Sequence, residues 1–467
     1  MTLATLCCAG VGAVQAADKA TPAPTYSKEV VTILHQQCVI CHRPGEAAPF
    51  PLLTYEDAKK RGKLIAQVTQ SKQMPPWKAD HGDVAFRNER RLKDEQIAVL
   101  QRWVEAGMPE GDTRQLPPLP TFAQGWPLGK PDLVVKMPKS YKVYAEGRDI
   151  YRNFAISLGL KEDKWVKAID FRPSAPSVVH HSLFFLDTTG TAAKKEAGSG
   201  QVGTTGSMGG AQQGGRGGAG ARAGNILGRL LTGRFGEGDF ASRGAPGLGG
   251  WALGARAREL PDGLAYKLPK GSDLILSTHF HPSGKAEEEC STVAFYFADK
   301  PPVQRFTGIQ VPGLFGALAG INIPAGKKNY TIEDSFVLPV DVKAFGVSAH
   351  AHYLAKDFKL TATLPDGTTK SMLSISDWDF TWQEQYQYQD FQSLPKGTKL
   401  HVKISYDNSE DNPHNPTDPP KRVRWGREST DEMGSMTLQV VAAKEEDFPK
   451  LQAAYRQHIR DLLAGDH

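Results

Sequence analysis

The prolines between residues 117 and 120 separate two sequence patterns that cannot belong to one fold class. Before them, from about residue 25 to 115, apolar residues recur at helical spacing, as in Lys28 to Gln37 and Asp94 to Ala106. After them, short runs rich in Val, Phe, Tyr and Leu alternate with Pro/Gly turns, which is typical of β-strands. The sequence therefore predicts a small all-α domain followed by all-β structure.

A chain of 467 residues is too long for one ordinary domain, so we place further boundaries in the β region. A second β unit is predicted to begin near Pro301, which gives β domains at 130–300 and 301–444. Residues 188–250 are dominated by Gly, Ala, Ser and Arg, and this composition predicts a flexible insert in a loop of the first β domain. Residues 445–467 are predicted to form a helical tail.

Composition and targeting signals restrict where the chain works and what it binds. Residues 1–17 are small and apolar and end in Val14-Gln15-Ala16-Ala17, which predicts a cleaved signal peptide and a periplasmic or secreted protein. No apolar run is long enough to cross a bilayer, so no transmembrane segment is expected. The net charge of +5 is mild and the arginines are not interleaved with aromatic residues, which argues against nucleic-acid binding.

The segment Cys38-Val39-Ile40-Cys41-His42 is a C-x-x-C-H motif. In this motif two thiols form thioethers to haem vinyl groups and the adjacent imidazole becomes an axial iron ligand. A thioredoxin-like redox pair would need a βαβ setting, and a zinc site would need a second pair of ligands, neither of which the sequence indicates. The motif predicts one covalent c-type haem per chain, bound through Cys38, Cys41 and His42.

Met74 is the best candidate for the sixth ligand of the haem iron. It is the lone methionine between His42 and the helix that closes the domain, and two prolines fix the backbone beside it. A methionine at such a position more often fills a core, but a His/Met pair would raise the haem potential. The segment from about 25 to 115 resembles a class I cytochrome c domain.

Histidines are concentrated at three places in the β region: His180-His181, His279-x-His281 and His350-x-His352. Residues i and i+2 of a strand point to one face, so His350 and His352 can converge on one metal ion. Adjacent His180 and His181 would diverge unless a bulge or a strand end turns them together. Three clusters of this kind favour metal binding over isolated structural histidines.

These motifs resemble the copper type II, ascorbate-dependent monooxygenases, the family of peptidylglycine α-hydroxylating monooxygenase and dopamine β-monooxygenase. The likeness covers about residues 131 to 441 without the insert. Four segments carry it in order: His180 to Phe185, Leu274 to Phe280, His350 to His352, and Ser429 to Met433. The resemblance implies two jelly-roll-like sandwich domains that face each other across a cleft.

The resemblance also implies two copper ions with different ligands. His180, His181 and His279 would hold a copper that stores one electron. His350, His352 and Met433 would hold the copper at which oxygen is activated and a C–H bond is cleaved. A soft thioether favours Cu(I), the state that binds dioxygen. His350, His352 and Met433 are therefore the predicted catalytic group.

Several positions depart from the peptide-processing members of that family. This chain has Ser348 where those members place a basic residue that holds a substrate carboxylate, and Ser435 and Thr437 where they place Asn and Tyr. A glycine-extended peptide is therefore not the expected substrate. His281 is an extra histidine near His279, and the sequence leaves open whether it replaces or supplements it.

The aromatic and amide-rich stretch from Trp378 to Tyr388 is predicted to be a strand packed on both faces. The leading hypothesis for the whole chain is a haem-fused copper monooxygenase that hydroxylates a small organic substrate with O₂. Its electrons would come from ascorbate or a redox protein and pass through the haem. The alternatives are a copper- and haem-containing electron-transfer or binding protein without oxygenase activity, and a haem peroxidase with an open iron position.

Overall fold

The computed structural model of the protein describes residues 22–44, 46, 48–122, 125–147, 149–205, 247–252, 255, 257–426 and 428–465. The predicted signal peptide at 1–17 and the middle of the predicted insert, 206–246, lie outside these residues. The chain forms two compact units, one from Met1–Pro75 with Leu92–Pro120 and one from Pro76–Arg91 with Thr121–His467. We refer to them as the helical unit and the β unit.

The helical unit contains three α-helices and two short helical turns among its described residues. A capping box begins the second helix, in which Thr54 and Asp57 exchange side-chain and backbone hydrogen bonds. Trp103 and Leu100, both fully buried, pack the third helix into the core. The elements are the π-helical turn Tyr26–Val30, α1 Val31–Gln37, α2 Tyr55–Gln70, α3 Asp94–Glu105 and the 3₁₀ turn Thr113–Gln115.

The first half of the β unit is a sandwich of two antiparallel sheets. Side chains from both sheets, such as Phe171 and Phe295 from one and Phe154 and Phe184 from the other, form a single core. The strands are β1 Leu133–Lys136, β2 Tyr141–Val143, β3 Ile150–Ser157, β4 Lys164–Arg172, β5 Val179–Asp187, β6 Thr204–Thr205, β7 Gly247–Ala252, β8 Arg258–Glu259, β9 Tyr266–Leu268, β10 Asp273–Phe280, β11 Glu287–Glu289 and β12 Thr292–Phe297. In the first sheet the strand order is β1-β12-β4-β8, with β9 also paired to β4, and in the second sheet it is β6-β3-β10-β5-β7.

The second half of the β unit is another antiparallel sandwich, with sheet orders β13-β22-β16-β19 and β15-β20-β17-β18. Residues such as Val347 and Leu438 from one sheet meet Leu360 and Val402 from the other. The strands are β13 Phe306–Val311, β14 Asn322–Ile323, β15 Tyr330–Val337, β16 Val342–Ala351, β17 Ala355–Thr363, β18 Thr369–Ile375, β19 Gln385–Leu394, β20 Lys399–Tyr406, β21 Val423–Arg424 and β22 Gly434–Ala442. The described chain is thus mostly β-sheet with few helices, as the sequence pattern predicted at this coarse level.

The segment 76–91 packs with the second sandwich although it falls inside the sequence range that we expected for the haem domain. Phe86 stacks on Tyr388 with ring centroids 5.5 Å apart. The backbone N–H of Arg87 donates to the carbonyl of Gln387 at 2.8 Å. Buried aromatic contact and strand-like pairing hold this segment on β19, which periodicity alone could not indicate.

Both ends of the predicted flexible insert are ordered. Its N-terminal end forms α4 (Thr191–Ser199) and its C-terminal end forms β7. At the N-terminal end, the Asp187 carboxylate accepts the N–H groups of Thr189 and Ala192 at 2.8 Å each, and at the C-terminal end β7 pairs with β5. A further helix, α5 (Phe448–Ala464), lies in the predicted helical tail. Among the described residues, no helix has the length and apolar character that a bilayer span requires.

Candidate metal sites and haem segment

Three histidines from neighbouring strands of the first sandwich lie together: His180, His181 and His279, which we call the triad. One ring nitrogen from each lies within 4.8 Å of the corresponding nitrogen of the others. His279 on β10 stands opposite His181 on β5, and the next pair in the ladder is Phe280 with Val179. His180 is therefore the extra residue of a β-bulge, which turns two adjacent imidazoles toward the same point.

Two of the three imidazoles of the triad have the electronic state that a metal site requires. Burial, together with charge on the neighbouring histidines, lowers the pKa of His180 to about 3 and that of His181 well below its ordinary value. Both imidazoles are thus neutral at physiological pH, with a lone pair available for a metal. Nε2 of His180 and Nδ1 of His279 are buried and have no hydrogen-bond partner among the described residues.

Asp149 supports the triad, a role that the sequence did not indicate. Its Oδ2 lies 2.9 Å from Nε2 of His279, and its Oδ1 lies 2.8 Å from Nδ1 of His281. Ser429 also donates a hydrogen bond of 2.8 Å to Oδ2. Burial alone would raise the pKa of Asp149, but these hydrogen bonds and the charge of His279 lower it well below its ordinary value. The carboxylate is therefore ionised and can fix the orientation of the His279 ring.

His281 does not join the triad. Its side chain is 60% exposed and contacts Oδ1 of Asp149. His279, on the other hand, is 1% exposed and stacks on Tyr151 with ring centroids 4.3 Å apart. The sequence left open whether His281 replaces or supplements His279. The structure places His279 with His180 and His181.

Removing the Asp149 carboxylate by Asp149→Ala is expected to weaken metal binding at the triad by about 10- to 100-fold, because the ring of His279 loses its fixed orientation. Competition with a chromophoric chelator measures this affinity. The matched control is Asp273→Ala, which removes a carboxylate at the opposite end of β10, the strand that carries His279. Parental affinity in Asp149→Ala would show that His279 needs no carboxylate partner.

The second ligand set consists of His350, His352 and Met433. The rings of His350 and His352 project from the β16 end with centroids 5.4 Å apart, as the i, i+2 spacing predicted. The register ends with Ala351 opposite Gly434, so His352 directly follows β16 at the point where Met433 directly precedes β22. Burial lowers the pKa of His350, and it lowers the pKa of His352 to about 3. These imidazoles are also neutral.

Hydrogen bonds fix the tautomer of both histidines of the second ligand set. Nδ1 of His350 lies 2.6 Å from Oε1 of Gln383, whose amide nitrogen donates to the carbonyl of Phe380. Nδ1 of His352 lies 3.2 Å from the carbonyl of Asp431. Because both acceptors are carbonyl-type oxygens, each Nδ1 carries the proton and each Nε2 presents its lone pair.

Glu432, the residue before Met433, organises the backbone around the second ligand set. Its side chain is fully buried and accepts the N–H groups of His352, Met433 and Leu354 at 2.6, 2.8 and 2.9 Å. Burial raises the pKa of its carboxyl to about 8, while these N–H groups act in the opposite direction. A Cβ on Gly434 would collide with the Tyr406 hydroxyl, which donates to the Met433 carbonyl at 3.0 Å.

The stretch Trp378 to Tyr388 was predicted to be a strand packed on both faces, and that prediction is wrong up to Glu384. The strand begins only at Gln385. Asp379 accepts hydrogen bonds from the N–H and hydroxyl of Thr381, and this turn chemistry overrides the strand preference of the aromatic residues. The turn carries Phe380 and Gln383, both of which contact the metal-ligand candidates.

Phe380 lies between the triad and the second ligand set. Its ring centroid is 4.7 Å from that of His180, in a stacked arrangement, and 5.8 Å from that of His352. The side chain is 6% exposed. One phenyl ring therefore contacts an imidazole of each set.

Both sets border one cleft of ≈ 1210 Å³, which lies within the β unit. His181 and Tyr151 from the first sandwich and His350, His352 and Met433 from the second line it. A volume of this size exceeds that of an average small-molecule pocket. The cleft can therefore admit an organic molecule, which would reach His350, His352 and Met433 where they line the cleft.

In the helical unit, Cys38, Cys41 and His42 follow α1 directly. Nδ1 of His42 lies 3.0 Å from the carbonyl of Phe50, which leaves Nε2 as the free ligand atom. Cys38 and Cys41 are not joined in a disulfide, and burial raises the pKa of Cys38 to about 12. A nucleophilic redox cysteine needs a lowered pKa, so this environment argues against the thioredoxin-like alternative.

The predicted sixth ligand, Met74, follows α2 and donates its backbone N–H to the carbonyl of Val68 at 3.0 Å. Its side chain is partly exposed. The other described methionine of the helical unit, Met108, has its sulfur against Gly62 of α2 and beside Trp103, so it fills the helix interface. The structure thus gives Met108 a packing role and leaves Met74 as the candidate ligand.

Replacing Met74 with alanine in the haem-loaded protein is expected to abolish the low-spin, methionine-ligated spectrum, because the thioether is the proposed sixth ligand. Absorption and magnetic circular dichroism spectra measure the change. Met108→Leu is the matched control and should retain the parental spectrum. An unchanged spectrum in Met74→Ala would exclude this ligand, and a vacant sixth position in the parent would favour the peroxidase alternative.

The sequence matches no known protein-family profile and no curated protein. Among solved structures, it is similar to the major capsid protein P2 from bacteriophage PM2, with TM-score 0.24, 10% identity, and coverage of 66% of this chain and 96% of that chain. For the VP2 subviral particle of infectious bursal disease virus the values are 0.19, 9%, 68% and 74%. For PNGF-II they are 0.20, 10%, 66% and 60%. All three TM-scores are under 0.5, so these likenesses carry no argument about function.

Proposed function

We propose that this protein is a copper-dependent monooxygenase that hydroxylates a C–H bond of a small organic substrate with O₂. The observation that carries the proposal is that two separate histidine sets reach one cleft, through the buried, neutral imidazole of His181 on one side and those of His350 and His352 on the other, and that the second set includes a methionine. Imidazole suits both oxidation states of copper, whereas a thioether favours Cu(I). Two unlike ligand sets fit an enzyme that stores an electron at one site and uses it at the other.

The residues present fit copper at both positions. In the triad, Nδ1 of His180 and Nδ1 of His181 lie 3.0 Å apart, which suits two ligands of one ion at a metal–nitrogen distance of about 2.0–2.1 Å. Nδ1 of His279 is also buried without a hydrogen-bond partner among the described residues, and a bound ion would satisfy it. His180, His181 and His279 would hold one copper, and His350, His352 and Met433 the other.

Bound copper would supply one-electron redox chemistry and oxygen activation at the second ligand set. The protein's own residues orient and enclose these groups. Gln383 and the Asp431 carbonyl direct each Nε2 of the histidine pair, and Glu432 fixes the backbone that carries Met433. Phe380 packs against an imidazole of each set. A preorganised ligand shell of this kind reduces reorganisation during electron transfer.

The overall reaction is balanced with two external electrons. A substrate R–H, one O₂, two electrons and two protons give R–OH and one water. Ascorbate or a redox protein outside the chain would supply the electrons, and a c-type haem on Cys38, Cys41 and His42 would pass them to the β unit. The fixed tautomer of His42, beside two cysteines that are not joined in a disulfide, supports this haem assignment. Export to the periplasm or the exterior suits both the haem and the copper.

The cytochrome c domain, the jelly-roll-like form of the sandwiches and membership of the copper type II monooxygenases belong to the same proposal. Two antiparallel sandwiches, with the four resembling segments brought to one cleft, support it. The alternative is an electron-transfer or binding protein that keeps copper and haem but performs no oxygenation.

Isotope labelling tests the oxygenase assignment. The copper- and haem-loaded protein is incubated with ascorbate, ¹⁸O₂ and a mixed set of small organic acids, amines and alcohols, and the products are analysed by mass spectrometry. We expect a product that carries one ¹⁸O atom and that disappears when copper is removed by a chelator. Haem and copper that are reduced and reoxidised without any labelled product would favour the electron-transfer alternative and overturn the oxygenase assignment.

A further inference from the structure

A guanidinium in the same cleft forms no ion pair at contact distance within the described part of the chain; the nearest carboxylate that acts on it, Glu384, is paired with Arg90. Arg258 on β8 lines the cleft. Its Nη2 donates to Oε1 of Gln439 at 3.0 Å, and its Nη1 donates to the Gln385 carbonyl at 3.5 Å. Both acceptors are neutral. A partly buried cation with only neutral acceptors retains most of its capacity to attract an anion.

The surroundings of Gln439 are shaped to hold this arrangement. Gly346 on β16 stands opposite Gln439 on β22, at the point where the register shifts. A Cβ on Gly346 would lie 2.6 Å from Oε1 of Gln439, so any larger residue would displace the amide that receives Arg258. The close approach therefore requires glycine at this position.

The cleft as a whole is electropositive. Of its charged lining residues other than histidine, five are cations and one is an anion: Arg87, Arg90, Arg258, Lys267 and Arg305 against Glu384. Glu384 pairs with Arg90, and the cleft cations Lys267 and Arg305 pair with Asp163 and Glu445. Arg258 is thus the cleft cation that is both partly buried and bound only to neutral oxygens, which makes it the best-placed anion ligand.

Apolar side chains and a defined distance separate Arg258 from the second ligand set. Ser435 pairs with His350, and Ser435, Thr437 and Gln439 all line the cleft along β22. Four residues of strand span about 13 Å, so Gln439 and its partner Arg258 lie at about that distance from His350. Aromatic rings such as Tyr266 and Phe306, with centroids 5.1 Å apart, form part of the wall.

We propose that Arg258 binds the carboxylate of an elongated, mainly apolar organic acid whose far end reaches His350, His352 and Met433. A guanidinium binds a carboxylate through two parallel hydrogen bonds, and the aromatic wall suits an aliphatic or aryl body. This inference rests on the proposed function, since it names the substrate class of the same cleft. It predicts that hydroxylation occurs toward the end of the molecule that is remote from the carboxylate.

Binding of a charge series tests the proposal independently of catalysis. Decanoate, decanamide and decyltrimethylammonium are titrated by calorimetry into the oxidised, metal-loaded full chain without a reductant. We expect decanoate to bind most tightly, and Arg258→Gln to weaken decanoate by at least about tenfold while leaving decanamide unchanged. Arg258→Lys, which keeps the charge but loses the planar fork, should recover part of the affinity.

The matched control is Arg305→Gln, which removes a cleft arginine that pairs with Glu445 and should leave decanoate affinity unchanged. A purely structural role of Arg258 would weaken decanoate and decanamide alike. That result, or equal binding of decanoate by the parent and Arg258→Gln, would overturn the proposal. Arg258-dependent decanoate binding in a protein that yields no ¹⁸O-labelled product would support the carboxylate site while the oxygenase assignment fails.

Discussion

Replacing Met433 with histidine is expected to leave copper bound at the second ligand set but to lower oxygenation by about 10- to 100-fold or more. A third imidazole is an acceptable copper ligand, whereas the soft donor that favours Cu(I) is lost. Met433 is 9% exposed and borders the cleft, so the replacement stays in the same place. Copper analysis and the rate of reductant-dependent product formation measure the two effects.

The control for this variant is Met436→Leu. Met436 lies on the same strand, pairs with Ala349 and is 1% exposed in the sandwich core. Its replacement should leave both copper content and turnover unchanged, since the volume of the side chain is nearly conserved. A Met433→His protein that consumes oxygen and substrate at the parental rate would remove the strongest chemical link to the copper type II monooxygenases.

Replacing His180 with alanine is expected to lose the copper of the triad and, with it, turnover. The variant leaves two imidazoles where three converge, and it also removes the bulge residue that stacks on Phe380. The second ligand set should keep its copper, because none of its ligands is changed. We expect copper content to fall from two ions per chain to one, and product formation to fall to background because the second electron is no longer stored.

His281→Ala is the matched control for His180→Ala. It removes a histidine from the same neighbourhood that contacts Asp149 but lies outside the triad. Copper content should stay at the parental value. Loss of one copper in His281→Ala, together with full retention in His180→Ala, would mean that the ion is held by a different group of side chains.

Local strand geometry accounts for the parts of the site that could be predicted from the sequence. The i, i+2 spacing of His350 and His352 at the end of β16 is compatible with their ring centroids lying 5.4 Å apart. The pair His180-His181 could converge only at a bulge or a strand end, and the ladder contains a bulge opposite His279. These predictions required only the two-residue period of a β-strand and the β-bulge, which interrupts that period.

The residues that support the ligands could not be predicted, because they come from segments that are remote in sequence. Asp149 contacts His279 and Ser429, which are 130 and 280 residues away in the sequence. Arg90 pairs with Glu384, which is 294 residues away. No local pattern marks such a partner. Glu432 stands next to Met433, but its role depends on the N–H groups of His352 and Leu354. The turn that carries Phe380 was missed because aromatic residues outweighed the Asp379–Thr381 turn signal.

The most direct test of the two-site account is the copper content of the purified, haem-loaded full chain, measured by mass spectrometry of the metal against protein and haem concentrations. The account predicts two copper ions and one haem per chain in the parent, and one copper ion in His180→Ala. A parent that binds a single copper ion when copper is in excess, or a His180→Ala variant that keeps both ions, would contradict it.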